Sequence, residues 1–234
     1  MPVHLYGVLN AYAVPESSLR GLDGQPVRSL LLDARCAWVS DVSAQTLEAT
    51  PKRLREHDAV LREALASQYS VIPSLFGRLH ADDASLGAAL ERNADSLDEA
   101  MALVEGRVEM SLLVAASNAV RVDAYEEPSE SRGPGRAHLR RIRNQVHAER
   151  ILRDKASELA QSVSKVLGEL AIAERVVDSP APPVLAARAH LVARENVERY
   201  VRAVSLQAAS ADPELRVAVR GPGAAYSFAA VRIG

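Results

Sequence analysis

At 234 residues, with 48% hydrophobic and 25% charged side chains, the chain is too apolar to be disordered throughout and long enough to bury one large core or two smaller ones. Residues 1–124 hold 11 basic and 17 acidic side chains and residues 125–234 hold 17 and 13, an asymmetry that implies two units with different partners or with each other as partners. The positive excess of the second half is far below that of domains that read phosphates, so nucleic acid is not an expected partner. The single cysteine, Cys36, forms no internal disulfide, the first residues lack a signal-peptide pattern, and no stretch approaches ~20 continuous apolar residues. A cytosolic protein without a membrane span is expected.

Residues 3–9 read as a strand, followed by turn signals at Pro15, Gly21 and Gly24. Residues 27–32 and 35–42 form a predicted hairpin through Asp33-Ala34. Thr50-Pro51 starts a helix to about Tyr69 that turns Leu54, Leu61 and Leu65 inward. Residues 71–79 are a short apolar run broken by Pro73 and Gly77, which predicts one sharply bent strand. Asp82 or Asp83 then caps a helix whose Leu86, Leu90, Ala94, Leu97, Met101 and Val104 share one face, and Gly106 ends it. Val108, Met110, Leu112 and Val114 alternate with less apolar neighbours, the pattern of a strand with one face on a core. Two helices on one face of an antiparallel sheet predict an α+β layout, a modified ferredoxin-like α/β sandwich over residues 1–124.

Residues 125–136, with two prolines, two glycines and three glutamates, read as a linker. Residues 137–234 read as a helix-rich C-terminal domain with a few strands. Its long helix is predicted over 137–177. Ala156, Leu159, Val163, Val166, Leu170, Ala173 and Val177 follow a 4-3 spacing, a coiled-coil-like seam expected to pack on another helix of the same chain, the rival being a partner protein or a second copy. Pro180, Pro182 and Pro183 end that helix; a strand over 184–192, a helix over 196–206 bearing Val197, Val201 and Val204, and a strand over 215–219 follow. Arg136, Arg140, Arg141 and Arg143, with Arg132, are the densest charge cluster, read either as a solvated helix start or as a dock for an acidic protein surface.

No residue is assigned a catalytic, cofactor-binding or metal-binding role. The six histidines, His4, His57, His80, His138, His147 and His190, show no metal-ligand spacing and read as surface or satisfied core residues. Neighbours such as His57 and Asp58 point in different directions on a helix. Dinucleotide and P-loop glycine patterns are absent, as is a GxSxG elbow, and Cys36 lacks an activating neighbour in sequence.

Two segments carry a resemblance. Pro73, Phe76 and Gly77, followed by an evenly spaced leucine helix and by Gly106 and Glu109, resemble the Pro-x-x-Phe-Gly-Thr and Gly-x-x-Glu patterns of the gas vesicle protein family of the GvpF/GvpL type, with Arg78 in place of the usual threonine. Gly221, Pro222, Tyr226, Ser227 and Phe228 match the tail Gly-Pro-Trp-Pro-Pro-Tyr-Ser-Phe with which members typically finish, Gly223, Ala224 and Ala225 replacing Trp-Pro-Pro. The resemblance implies a ferredoxin-like N-terminal domain. It also implies a non-enzymatic accessory or minor structural role in vesicle assembly, exercised on the main shell protein and other gas vesicle accessory proteins, in the cytoplasm and associated with the vesicles. The alternative carried beside it is a ferredoxin-like regulatory module that binds a small molecule.

Overall fold

Strand β1 (Val3–Asn10) lies at the centre of the first sheet, with every residue buried except half-exposed Asn10. The computed structural model describes residues 1–10, 13–32, 35–43, 46–117, 134–178 and 180–230. β1 pairs antiparallel with β3 (Arg35–Asp41), which pairs with β2 (Arg28–Leu32) as the expected hairpin. A register shift between Leu5 and Gly7 marks a bulge in β1, a local device that raises strand twist. On its other side β1 meets β4 (Val71–Pro73) through Gly7–Leu9 and β5 (Leu79–His80) through Val3 and His4. The single bent strand predicted here is therefore two short strands on one neighbour, because Pro73 lacks a donor to prolong the ladder and the chain turns at Gly77 before rejoining it.

Helix α1 (Pro51–Ala66) begins as its sequence predicts, with Thr50 Oγ1 accepting from the Arg53 amide at 3.3 Å. It buries His57, Val60, Leu61, Ala64 and Leu65, whereas Leu54, in its first turn, is 44% exposed rather than inward. At its other end the Arg194 guanidinium donates to the Leu65 carbonyl at 2.7 Å and to that of Tyr69 just past the helix, tying the two together. The next helix is not continuous. α2 (Asp83–Arg92) is capped by Asp82 in a reciprocal pair with Ser85, and α3 (Ala94–Val104) restarts after Asn93, whose side-chain amide donates to the Ala89 carbonyl. A short polar side chain that competes with the backbone breaks helices without disturbing their apolar spacing, so Leu86, Leu90, Leu97 and Val104 are all buried as predicted.

β6 (Arg107–Ala116) buries Val108, Met110, Leu112 and Val114, as the alternation requires. It does not complete the first sheet. It pairs in a second one of order β7-β8-β6-β9, with β7 (Ala171–Val176), β8 (Val184–Ala193) and β9 (Leu215–Gly223). Periodicity identifies a strand but carries no information on which neighbour supplies its hydrogen bonds. By contacts the chain divides into one unit of Met1–Met110, Leu191–Arg194 and Gly221–Gly234 and another of Ser111–His190 and Glu195–Arg220.

In the second unit α4 (Pro134–Val166) ends eleven residues before the predicted 177, and Ala171–Val176 is strand. Its buried positions are Ala156, Ala160, Val163, Ser164 and Leu167, with Val166 54% exposed. Pro180, Pro182 and Pro183 therefore lie between two strands instead of closing a helix. α5 (Val197–Ala208) packs against α4 and buries Tyr200 and Val204, leaving Val201 40% exposed. α6 (Tyr226–Ala229) is a single turn. Most of the predicted linker, residues 125–133 with Arg132, lies outside the described residues, and so do the side chains of Arg136, Arg140 and Arg141; Arg143 is exposed. Among the described residues no helix is long and apolar enough to cross a membrane.

Candidate functional site

Within the first unit the structure brings together the two sequence motifs, which lie more than a hundred residues apart. Glu109, half-buried on β6, accepts from the Ser227 amide through Oε2 and from the Ser227 hydroxyl through Oε1, both at 2.8 Å. Burial pushes its carboxyl pKa up, and the two hydrogen bonds from Ser227 partly offset that shift. Gly221 sits beside it with φ +119°, and a Cβ there would stand 2.7 Å from the Glu109 carbonyl oxygen and 2.9 Å from Met110 Sδ. Only glycine lets β9 end this close to β6. At the start of β6, Gly106 also takes a positive φ of 66°, and its amide donates to Ser70 Oγ.

The aromatic members converge on a pair of buried histidines. The His57 ring lies 5.9 Å from Phe76 and 6.5 Å from Tyr226, and the His4 ring lies 5.7 Å from Phe76. His4 Nε2 and His57 Nδ1 are 2.9 Å apart, and His57 Nε2 is 3.1 Å from the Ser74 carbonyl. A carbonyl only accepts, so His57 carries its proton on Nε2 and receives one at Nδ1 from His4 Nε2–H, with both rings neutral. Burial is the main force holding His57 down to about 4 and His4 to about 3, and the His57 charge adds to the effect on His4. Pro73 pairs with Gly7 in the first sheet, Pro222 is exposed after Gly221, and Phe228 is half-buried in the closing turn. The motif residues thus act as a latch that holds the tail on a strand of the first unit.

The second unit contains one array that resembles a catalytic triad: Ser164 Oγ lies 2.9 Å from His190 Nε2, and His190 Nδ1 lies 2.7 Å from the Tyr200 hydroxyl. Ser164 is only 6% exposed, and a phenol stands where a carboxylate would stabilise an imidazolium. The array ties α4, β8 and α5 together through satisfied polar groups. Sequence reading did not link these histidines, because their partners lie 53 and 26 positions away. The available signal was their position: His4 lies inside an apolar strand, and His57 lies one turn before Leu61 on the buried face of α1. Cys36 is a buried thiol that donates to the Ala13 carbonyl. Among the described residues no group of three or more His, Cys, Asp or Glu is placed to hold a metal ion.

Replacing Glu109 by Ala removes both acceptors from Ser227, and a loss of about 2 kcal/mol is expected, hydrogen bonds to charged groups contributing roughly 1.5–3 kcal/mol. Glu109→Gln keeps one carbonyl acceptor and should lose about half as much. Urea unfolding of the two variants checks the order, and equal stability of Glu109→Ala and the unsubstituted chain would contradict the latch.

The sequence matches the family described as gas vesicle synthesis protein GvpL/GvpF over residues 2–230. The chain belongs to this family. It is 28% identical over 256 residues to gas vesicle protein L of Streptomyces sp. (strain CB03234), covering 97% of this chain and 92% of that protein. With gas vesicle protein F of the same strain it shares 27% identity over 240 residues, covering 97% and 99%. Its fold is similar to the crystal structure of GvpF from Anabaena sp. PCC7120, with a TM-score of 0.78 at 22% identity over 98% of this chain and 96% of that one. The GvpF structure from Microcystis aeruginosa gives a TM-score of 0.76 at 20% identity, over 98% and 99%. The α+β architecture expected from the sequence is the fold of these proteins.

Proposed function

We propose that this chain is an accessory or minor structural protein of gas vesicle assembly, working in the cytoplasm at the vesicle by contact with the main shell protein and other vesicle proteins. Family membership over residues 2–230 carries the reading. The fate of the motif residues supports it: Glu109, Gly221 and Ser227 are spent on holding the tail, and His4 and His57 hydrogen-bond each other and a backbone carbonyl, so none of them is presented to a substrate. The role is accordingly a matter of surfaces, without catalysis or cofactor. In this reading the first unit acts as a ferredoxin-like module and the second, built around α4, as a helix-rich arm. Its arginines 136, 140, 141 and 143 are the dock for an acidic surface of a partner. Shell subunits with large apolar faces aggregate unless nucleated or held, which is work for an adaptor that buries them.

Deleting the gene in its host is the direct test. Loss of buoyant vesicles, restored by the intact gene in trans, is the expected result. Normal flotation after deletion would refute the reading.

A further inference from the structure

The second sheet ends on two edge strands, β7 and β9, that the sequence treats differently. An edge presents a row of unpaired backbone donors and acceptors, and charged side chains or proline placed there keep other strands away. β9 carries such guards, since Arg216, Arg220 and Pro222 are all exposed. β7 has no proline, glycine or lysine, and its face formed by Ile172, Glu174 and Val176 is open, Ile172 being 52% and Val176 62% exposed. Glu174, the one charge on that face, is already bound to Arg188 of β8. Arg175 lies on the opposite face of the strand.

One hydrogen bond sets the direction of the backbone groups. The Val177 amide donates to the Ala187 carbonyl of β8 at 3.1 Å, and the connection between β7 and β8 is short enough to require antiparallel pairing. Along such a ladder residues that face one neighbour alternate with residues that face away from it. Ala173 and Arg175 therefore turn their backbone groups to β8. Ile172, Glu174 and Val176 turn theirs outward, to a side on which no described strand pairs.

We infer that β7 joins this chain to a second copy of itself, pairing antiparallel with the second copy's β7 about a two-fold axis at Glu174. The outward residues run aliphatic, acidic, aliphatic, and that order reads the same in both directions, which argues for a second copy over an unrelated strand. With the axis at Glu174, Ile172 lies opposite Val176 of the second copy and Val176 opposite its Ile172, so every outward amide and carbonyl of β7 finds a partner. Moving the axis to Ala173 or Arg175 sets Glu174 against an aliphatic side chain and carries one aliphatic residue past the end of the opposing strand. The edge thus complements itself in one register. The two Glu174 carboxylates meet at the axis, each held by its own Arg188, so the row across the joined sheet has no net charge. Opposed like charges still weaken a strand pair, and the dimer is expected to be weak and concentration-dependent. The inference stands or falls independently of the assembly reading.

The test uses the full chain. Sedimentation should show its mass rising towards that of a dimer with increasing concentration. Ile172→Lys combined with Val176→Lys sets lysines opposite each other at both ends of the pairing and should abolish the dimer. Mixing that variant with Ile172→Glu combined with Val176→Glu should restore association, at least about tenfold tighter than either variant with itself. The register is read by cross-linking, because Cys36 is the chain's single cysteine and is buried. Ile172→Cys mixed with Val176→Cys should form an intermolecular disulfide on mild oxidation, opposed residues having Cα atoms about 5.5 Å apart. Neither cysteine variant alone should cross-link, since its own two thiols lie on residues more than about 13 Å apart along the paired strands. Both positions are exposed, so the variants should keep their circular dichroism and thermal midpoint. A chain that stays monomeric at every concentration overturns the inference, and so does a dimer whose affinity is unchanged by the paired lysines. Cross-linking of either cysteine variant alone as fast as the mixture overturns the register and the symmetry argument with it.

Discussion

Acidification from pH 7.5 to 4.5 is expected to destabilise the first unit by roughly 5 kcal/mol, about 2–3 kcal/mol from each of His4 and His57 at 1.36 kcal/mol per pKa unit. In the unfolded chain both rings take up protons near 6.5, whereas in the folded unit His57 does so only near 4 and His4 near 3. Over that window the unfolded state binds more protons, so stability falls as pH drops below 6.5 and the loss levels off below the folded values. The geometry gives the reason: His57 donates to Ser74 and accepts from His4, so a proton added at His57 Nδ1 would face the His4 Nε2–H, while one added at His4 Nδ1 would leave a charge buried away from solvent. Glu109, whose carboxyl burial pushes up, acts in the opposite sense and trims the total.

Trp38 is the chain's single tryptophan and is buried in the first unit, so urea unfolding followed by its fluorescence reports that unit alone. Replacing His57 by Gln removes one titrating ring and should remove about half of the pH dependence, at some cost in stability at pH 7.5. A profile that stays flat between pH 7 and 4.5 would show that the pair is not neutral in the folded state.

The second large effect is expected at Gly221. A methyl group there meets the Glu109 carbonyl at 2.7 Å on a backbone with φ +119°, so Gly221→Ala should cost roughly 3 kcal/mol or more, from strain of about 1–3 kcal/mol and overpacking of similar size. Gly223→Ala is the matched control. Its added carbon would lie 3.9 Å from the same oxygen with no positive φ, so a change within about 1 kcal/mol is expected. Because Gly221 lies against the residue that anchors Ser227, Gly221→Ala should also expose the tail, read as faster cleavage there in limited proteolysis. Equal costs for the two substitutions would mean that the approach to β6 is looser than the distances show.

Local chemistry was legible wherever it acts within a few residues. Thr50 with Pro51 and Asp82 with Ser85 start their helices as written, and β6 buries every second residue. The break at Asn93 was written in the sequence as well, but an apolar spacing that continues across it hides a hinge made by one side-chain amide. The end of α4 was misread for a related reason. Leu170, Ala173 and Val177 continue the helical spacing, yet residues 171–176 are strand, and only the neighbouring β8 decides between the two.

For this protein the sequence by itself determined the α+β class, most strand and helix starts, the buried faces of α2, α3 and β6 and, through two short motifs, the family. Those properties depend on the order of apolar and polar residues along a few turns of chain. Tertiary structure alone decided that β6 joins the second sheet, that Glu109 grips Ser227, that His4 and His57 share a proton, and that α4 gives way to β7. Each of these depends on groups tens to more than a hundred positions apart meeting at about 3 Å, or on where packing stops, and neither leaves a periodic trace in the chain.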